Sequence, residues 1–210
     1  NGYNINPVSF RSLKAEKSYG VNADINYKTV IDETTITINQ LFFYTYLNNP
    51  VILQNNELIN ATGYIDTKGG ETNIKVDWKN LKILLGYTFV DARQHYMNQN
   101  IWQPLTAKHR LNLILMYEKE DNYRIGLEGY YTGKQQLSDL TTRKGYFTFG
   151  FLFEKIWEHV NIFVNAENFT DRRQTRRESV YSGSITNPVF NEIYMPLDGA
   201  VVSAGLKLKF

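Results

Sequence analysis

The residues best equipped for chemistry are a run of arginines and a few scattered rings. Arg172, Arg173, Arg176 and Arg177 lie close together, and Tyr181 and Tyr194 follow them. Guanidinium forks match carboxylate, phosphate or another anion such as a ferric chelate, because each presents parallel N–H donors. A second group, His95, Tyr96 and Trp102, has ring faces able to stack on a haem, a corrin or a sugar. In both groups the packing of a loop is the competing use of the same side chains. Catalysis finds little footing. His95, His109 and His159 are far apart, without metal-ligand spacing, and there is no cysteine to act as nucleophile or ligand. No GxSxG, phosphate-loop or dinucleotide fingerprint occurs. The expectation is a binding protein that is not an enzyme, with no metal and no cofactor.

The scaffold that must position these groups is unusual in composition. The chain has 210 residues, with 23 Lys+Arg against 21 Asp+Glu, so its net charge is +2 and nucleic acid finds no basic stripe. No apolar run reaches the roughly 18 residues of a membrane-crossing helix. Yet 12 Phe, 15 Tyr and 3 Trp make the chain 14% aromatic within an otherwise polar sequence. Large apolar surfaces must be placed somewhere.

Their spacing says where. Tyr19, Val21, Ala23, Ile25 and Tyr27 alternate with Gly20, Asn22, Asp24 and Asn26, a period of two that no helix produces. The same alternation recurs around residues 36–46, 60–78, 81–89, 111–117, 123–131, 147–153, 160–167 and 202–210. Nine strands and no convincing amphipathic helix make this an all-β chain. Connections alternate in length: short near Lys79–Asn80 and Glu118–Asp121, long near 48–58, 95–104, 133–143 and 172–196. In an antiparallel meander every second connection falls at the same end. One end therefore carries tight turns and the other long loops, the asymmetry of outer-membrane barrels. Tyr27, Trp78, Tyr117, Tyr123, Trp157 and Phe210 sit by the tight turns, while Tyr44, Tyr46, Tyr87, Phe89, Tyr131 and Phe147 sit towards the loops. Two aromatic girdles one apolar band apart suit a bilayer. The expected fold is an antiparallel transmembrane β-barrel segment of about nine meander strands, an open curved sheet. Its apolar sets should form one outward belt, with Asn22, Asp24, Asp77, Arg124, Glu128 and Lys207 on the concave side.

In this arrangement particular stretches become familiar: Leu13-Lys14-Ala15-Glu16-Lys17-Ser18 opening a strand, Gly86-Tyr87-Thr88-Phe89-Val90-Asp91-Ala92 closing another, Pro104 with His109 and Asn112, Glu167-Asn168-Phe169-Thr170-Asp171, and the terminal GLKLKF. In this order they resemble the C-terminal part of the barrel of TonB-dependent outer-membrane receptors, particularly of Bacteroidetes-type bacteria. The family's Pro before Glu16 is replaced here by Ala15.

The resemblance implies a 22-stranded barrel, of which residues 1–210 would supply the last nine strands, with the plug domain and TonB box absent from this stretch. The chain starts at Asn1 rather than Met, and it reads as a fragment or a processed form. The implied location is the bacterial outer membrane. The implied role is uptake of a scarce nutrient: a ferric siderophore, haem, cobalamin or a glycan. Implied partners are outer-membrane lipid and lipopolysaccharide, TonB through the missing N-terminal part, the barrel-assembly machinery reading Leu206, Leu208 and Phe210, and a small-molecule or glycan ligand. Lipopolysaccharide phosphates compete with that ligand for the arginines. His109 reads as a structural residue at the start of a strand. A small self-contained barrel acting as porin or adhesin is the alternative, against which the odd strand count argues. An outer-membrane hydrolase would need partners that His109 does not evidently have.

Overall fold

The alternating segments pair into one sheet. The computed structural model describes Ser9–Phe10, residues 13–54 and residues 57–209. Nine strands form the sheet: β1 Lys17–Ile31, β2 Thr34–Asn48, β3 Gly63–Trp78, β4 Leu81–Tyr96, β5 His109–Lys119, β6 Tyr123–Thr132, β7 Tyr146–Ile156, β8 Val160–Glu167 and β9 Val201–Leu208. Each is antiparallel to its chain neighbour, and the order across the sheet is the order along the chain. β1 and β9 are its two edges and are not paired with each other, so the sheet is an open meander.

Turn chemistry explains the tight end. Asp32 and Lys79 adopt left-handed backbone, with φ near 50° at both, and close two-residue turns. Lys79 Nζ reaches Glu33 at 3.1 Å, tying one turn to the next. Both partners are exposed, and the pair adds little to stability.

Register decides the faces, because residues directly opposite in antiparallel strands point to the same side. One row runs Ile36, Val76, Ile83, Leu115, Leu127 and Phe151. A parallel row runs Tyr27, Ile38, Ile74, Leu85 and Leu113. Together such rows make a largely apolar face from β1 to β9, interrupted by Gln40 and Thr72, which share a hydrogen bond on it. The opposite face carries Asn26, Asn39, Asn73 and Asn112 in a single row, and it also holds Asn22, Asp24, Asp77, Arg124, Glu128 and Lys207. Its charges serve one another: Arg124 binds Glu118 at 2.6 Å and Glu154 at 3.2 Å, Lys82 reaches Glu118 at 3.3 Å, and Asn161 donates to Glu154 at 2.8 Å. That ladder laces β4 through β8.

The apolar face covers nothing within the chain. Val21 is 67% and Leu206 69% exposed, although both belong to the belt. Buried apolar side chains lie mainly in the long connections, at Ala61, Ala107, Leu137, Tyr194 and Met195. A sheet with an uncovered apolar face is what a lipid-facing wall requires.

Two expectations change in detail. β1 to β4 run 15 or 16 residues, well past the belt, so His95 and Tyr96 end a strand rather than sit in a loop. The long connections are also folded. Val51–Gln54 pairs with Glu57–Asn60, Ile101–Trp102 pairs back onto β4, Gln135–Gln136 pairs with Thr142–Arg143, and Tyr181–Ser184 pairs with Asn187–Phe190. Phe210 lies outside the described residues, while Leu206 and Leu208 stand on the belt face of the β9 edge.

One glycine tests the close approach of strands. A Cβ on Gly69 would lie 2.1 Å from the Phe89 carbonyl oxygen and 2.6 Å from the Phe43 ring. A backbone atom cannot yield as a flexible side chain can. Gly69→Val is expected to reduce the fraction of assembled barrel, read as heat-modifiable mobility on gels. Gly126→Ala, whose Cβ would meet only Leu152 side-chain atoms at 3.4 Å and beyond, is expected to assemble normally.

Candidate functional site

The long-loop end gathers every candidate ligand residue, but the strands sort them. In β4, His95 lies opposite Tyr64 and Tyr96 lies opposite Gly63, so these adjacent residues belong to opposite faces of the sheet. His95 stacks on Tyr64 at 4.4 Å, Tyr64 stacks on Tyr46 at 4.8 Å, and His95 Nε2 contacts Asp66 Oδ1 at 2.7 Å. Tyr96, at the rim end of β4 above the belt, is half-buried, and that burial pushes its hydroxyl above the ordinary tyrosine range. Trp102 pairs with Arg93 on the His95 side and lies under the Lys108 ammonium, 3.7 Å from ring centre to Nζ. Lys108 and Arg93 both reach Asp91, each at 3.4 Å. His95 and Trp102 therefore stand on the belt side, above the girdle formed by Phe89, His109, Tyr131 and Phe147. The three candidates do not converge on one ligand. His109 opens β5, where its Nδ1 meets the Tyr87 hydroxyl at 2.7 Å and its ring packs against Phe89.

The arginines divide as well. Asp171, in left-handed backbone at the end of β8, holds Arg173 Nε at 3.1 Å and also pairs with Arg176. Asn168 continues the same corner: its carboxamide accepts from the Arg172 N–H and donates to the Arg172 and Asp198 carbonyls. Arg172 and Arg177 are exposed and form no ion pair among the described residues. They are the two guanidinium groups of the run left to meet an anion. Tyr181 is exposed in its short hairpin, whereas Tyr194 is buried with Leu137 and Met195, so its ring serves packing. Sequence reading missed the pairing of Arg173 and Arg176, although Asp171 two residues before Arg173 was a usable signal.

Clefts open among these loops, and two of them touch the candidate residues or the 168–200 connection. One of about 620 Å³ lies between Ile52, Ile59, His95, Tyr96 and Met97. Another of about 510 Å³ lies between Glu128, Tyr130, Asn165, Glu167 and Asp198, below the 168–200 connection. The first could hold a ligand with both apolar and polar parts; the second is acidic. No group of three or more His, Cys, Asp or Glu suited to a metal occurs among the described residues.

The arrangement as a whole has solved counterparts. The FrpB iron transporter from Neisseria meningitidis superposes on 95% of this chain with a TM-score of 0.65 at 18% identity, using 31% of its own length. The copper transporter OprC matches 95% of this chain and 32% of its own, with a TM-score of 0.71 at 12% identity. The chain has the same fold as the matched parts of these two transporters. The ferric yersiniabactin uptake receptor FyuA from Yersinia pestis agrees, covering 92% of this chain and 30% of its own with a TM-score of 0.65 at 16% identity. The chain thus spans about a third of the length of these solved proteins. No family profile matches it, and no curated protein matches it. Within this wall, the long connections lie at one end and the tight turns at the other, so the loop candidates share a rim.

Proposed function

We propose that the chain is part of the wall and outer rim of a TonB-dependent receptor in the bacterial outer membrane, serving uptake of a scarce nutrient. The supporting observation is the two-faced nine-strand meander, which follows parts of an iron transporter, a copper transporter and a ferric yersiniabactin uptake receptor over more than nine-tenths of its length. In this reading β1 and β9 pair with further strands of the same barrel, and the polar face lines the lumen. A plug domain and a TonB contact belong to the rest of the protein. The cargo that best suits the exposed Arg172 and Arg177 is anionic, with a ferric siderophore ahead of haem, cobalamin or a glycan. His95 and Trp102, on the belt side above the girdle, suit lipopolysaccharide headgroups. Leu206 and Leu208 on the β9 edge suit strand addition by the barrel-assembly machinery.

The test is growth. A strain lacking the whole protein, supplied in turn with iron-loaded siderophores, haem, cobalamin or oligosaccharide as limiting nutrient, should lose growth on one class and regain it with the gene. Regained growth should also disappear when TonB is deleted. Unimpaired growth on every class, with and without TonB, contradicts the proposal.

A further inference from the structure

The connections 133–145 and 168–200 leave different strand pairs, β6–β7 and β8–β9, and nothing in a meander requires them to touch. They nevertheless share a buried apolar cluster, in which Leu137 of one packs with Tyr194 and Met195 of the other, with Tyr146 against it. Gln174 stands beside this cluster, is wholly buried, and has both ends of its carboxamide engaged. Its Oε1 accepts from the Tyr194 N–H at 3.0 Å and the Met195 N–H at 3.3 Å, and its Nε2 donates to the Glu192 carbonyl at 2.8 Å. Its own backbone N–H donates to the Pro196 carbonyl at 2.9 Å. Gln174 thus does the work of a missing strand for the 192–196 segment.

That segment is then handed across. Gln135 Nε2 donates to the Tyr194 carbonyl at 2.8 Å. Glu192 accepts from the Ser138 N–H at 2.8 Å and its hydroxyl at 2.7 Å. Arg143 pairs with Glu178 at 3.2 Å. Burial pushes the Tyr194 hydroxyl above its ordinary range, as expected of a closed interface.

We infer that Gln174 is a positioning residue: its buried carboxamide braces the 192–196 segment, and through that segment's ties to Gln135 and Ser138 the 168–200 and 133–145 connections become one platform that holds Arg172 and Arg177 in place. The two arginines lie two and three residues to either side of it, so whatever fixes Gln174 fixes them. Independent flaps would let each loop close on a ligand separately. A latched pair presents a preformed surface, which lowers the ordering cost of binding. The inference rests on the proposed function only for the meaning of that surface.

The test reads loop coupling without ligand, and so stands apart from the growth test. Hydrogen exchange is measured on the whole protein in outer-membrane preparations, with heat-modifiable mobility confirming assembly. Gln174→Met keeps length and apolar volume but leaves two buried N–H groups and a carbonyl unpaired. Exchange is expected to quicken roughly tenfold or more in both 172–196 and 133–145, with the β-strands unchanged. Gln135→Met with Ser138→Ala, which removes two of the side-chain ties from the other side, should quicken 190–196 while Gln174 remains. A specific role in positioning the arginines is read separately: Gln174→Met should weaken capture of a ferric siderophore probe to the same extent as Arg172→Ala with Arg177→Ala, at equal surface expression. Gln174→Met with slow exchange in both segments would overturn the inference, and so would quickening confined to 172–196.

Discussion

Leu115→Arg should sharply reduce the assembled barrel, while Ile114→Arg, one residue away, should be tolerated. Leu115 lies in the belt row between Ile83 and Leu127, near mid-height of the apolar face. A cation held there in hydrocarbon costs about 2–4 kcal/mol in a transmembrane barrel. Ile114 lies between Leu84 and Glu128 on the polar face. An arginine there gains the Glu128 carboxylate as neighbour and meets no lipid. The comparison is made in the whole protein by urea titration of vesicle-inserted barrel, read as the loss of assembled barrel in each variant. Equal losses would mean that the two faces do not differ in environment.

The second large effect concerns ligand. In the whole protein, Arg172→Ala with Arg177→Ala should weaken an anionic chelate by roughly 1–3 kcal/mol for each charge-assisted hydrogen bond removed, which is about 5-fold to 150-fold per bond. Surface expression should be unchanged, because exposed loop positions bury little. Arg173→Ala with Arg176→Ala should behave differently. It leaves Asp171 without both partners, so the corner after β8 loosens and the loop becomes open to protease on intact cells. Affinity measured by equilibrium binding and cleavage measured on cells separate the two pairs. Wild-type affinity in the Arg172 and Arg177 variant would assign these groups to lipopolysaccharide or solvent.

The contrast between the pairs shows what a sequence can and cannot display. The strands were legible because a lipid-facing wall needs strict alternation, and Phe147, Phe149, Phe151 and Phe153 opposite Thr148 and Gly150 admit no helical reading. Strand ends were not legible where the wall rises above the belt. From Tyr64 to Lys68 and from Asp91 to His95 both faces carry polar residues, so the period of two disappears while the ladder continues. The loop core was hidden for another reason. Leu137 and Tyr194 are far apart in the chain, and neither sits in a patterned segment. Gln174, inside an arginine-rich stretch, looks like one more solvated polar residue. Its burial depends on backbone groups of residues 192–196, which carry no side-chain signature.

In the proposed membrane setting, one face of this sheet meets lipid and the other does not. The chain has no cysteine, which leaves β5 free for a scan of single cysteines at positions 111 to 117 in the whole protein, each carrying a fluorophore in bilayers that contain lipid-bound quencher. Alternation is expected: strong quenching at Leu111, Leu113, Leu115 and Tyr117, and weak quenching at Asn112, Ile114 and Met116. Uniform quenching along β5, or alternation in the opposite phase, would contradict it.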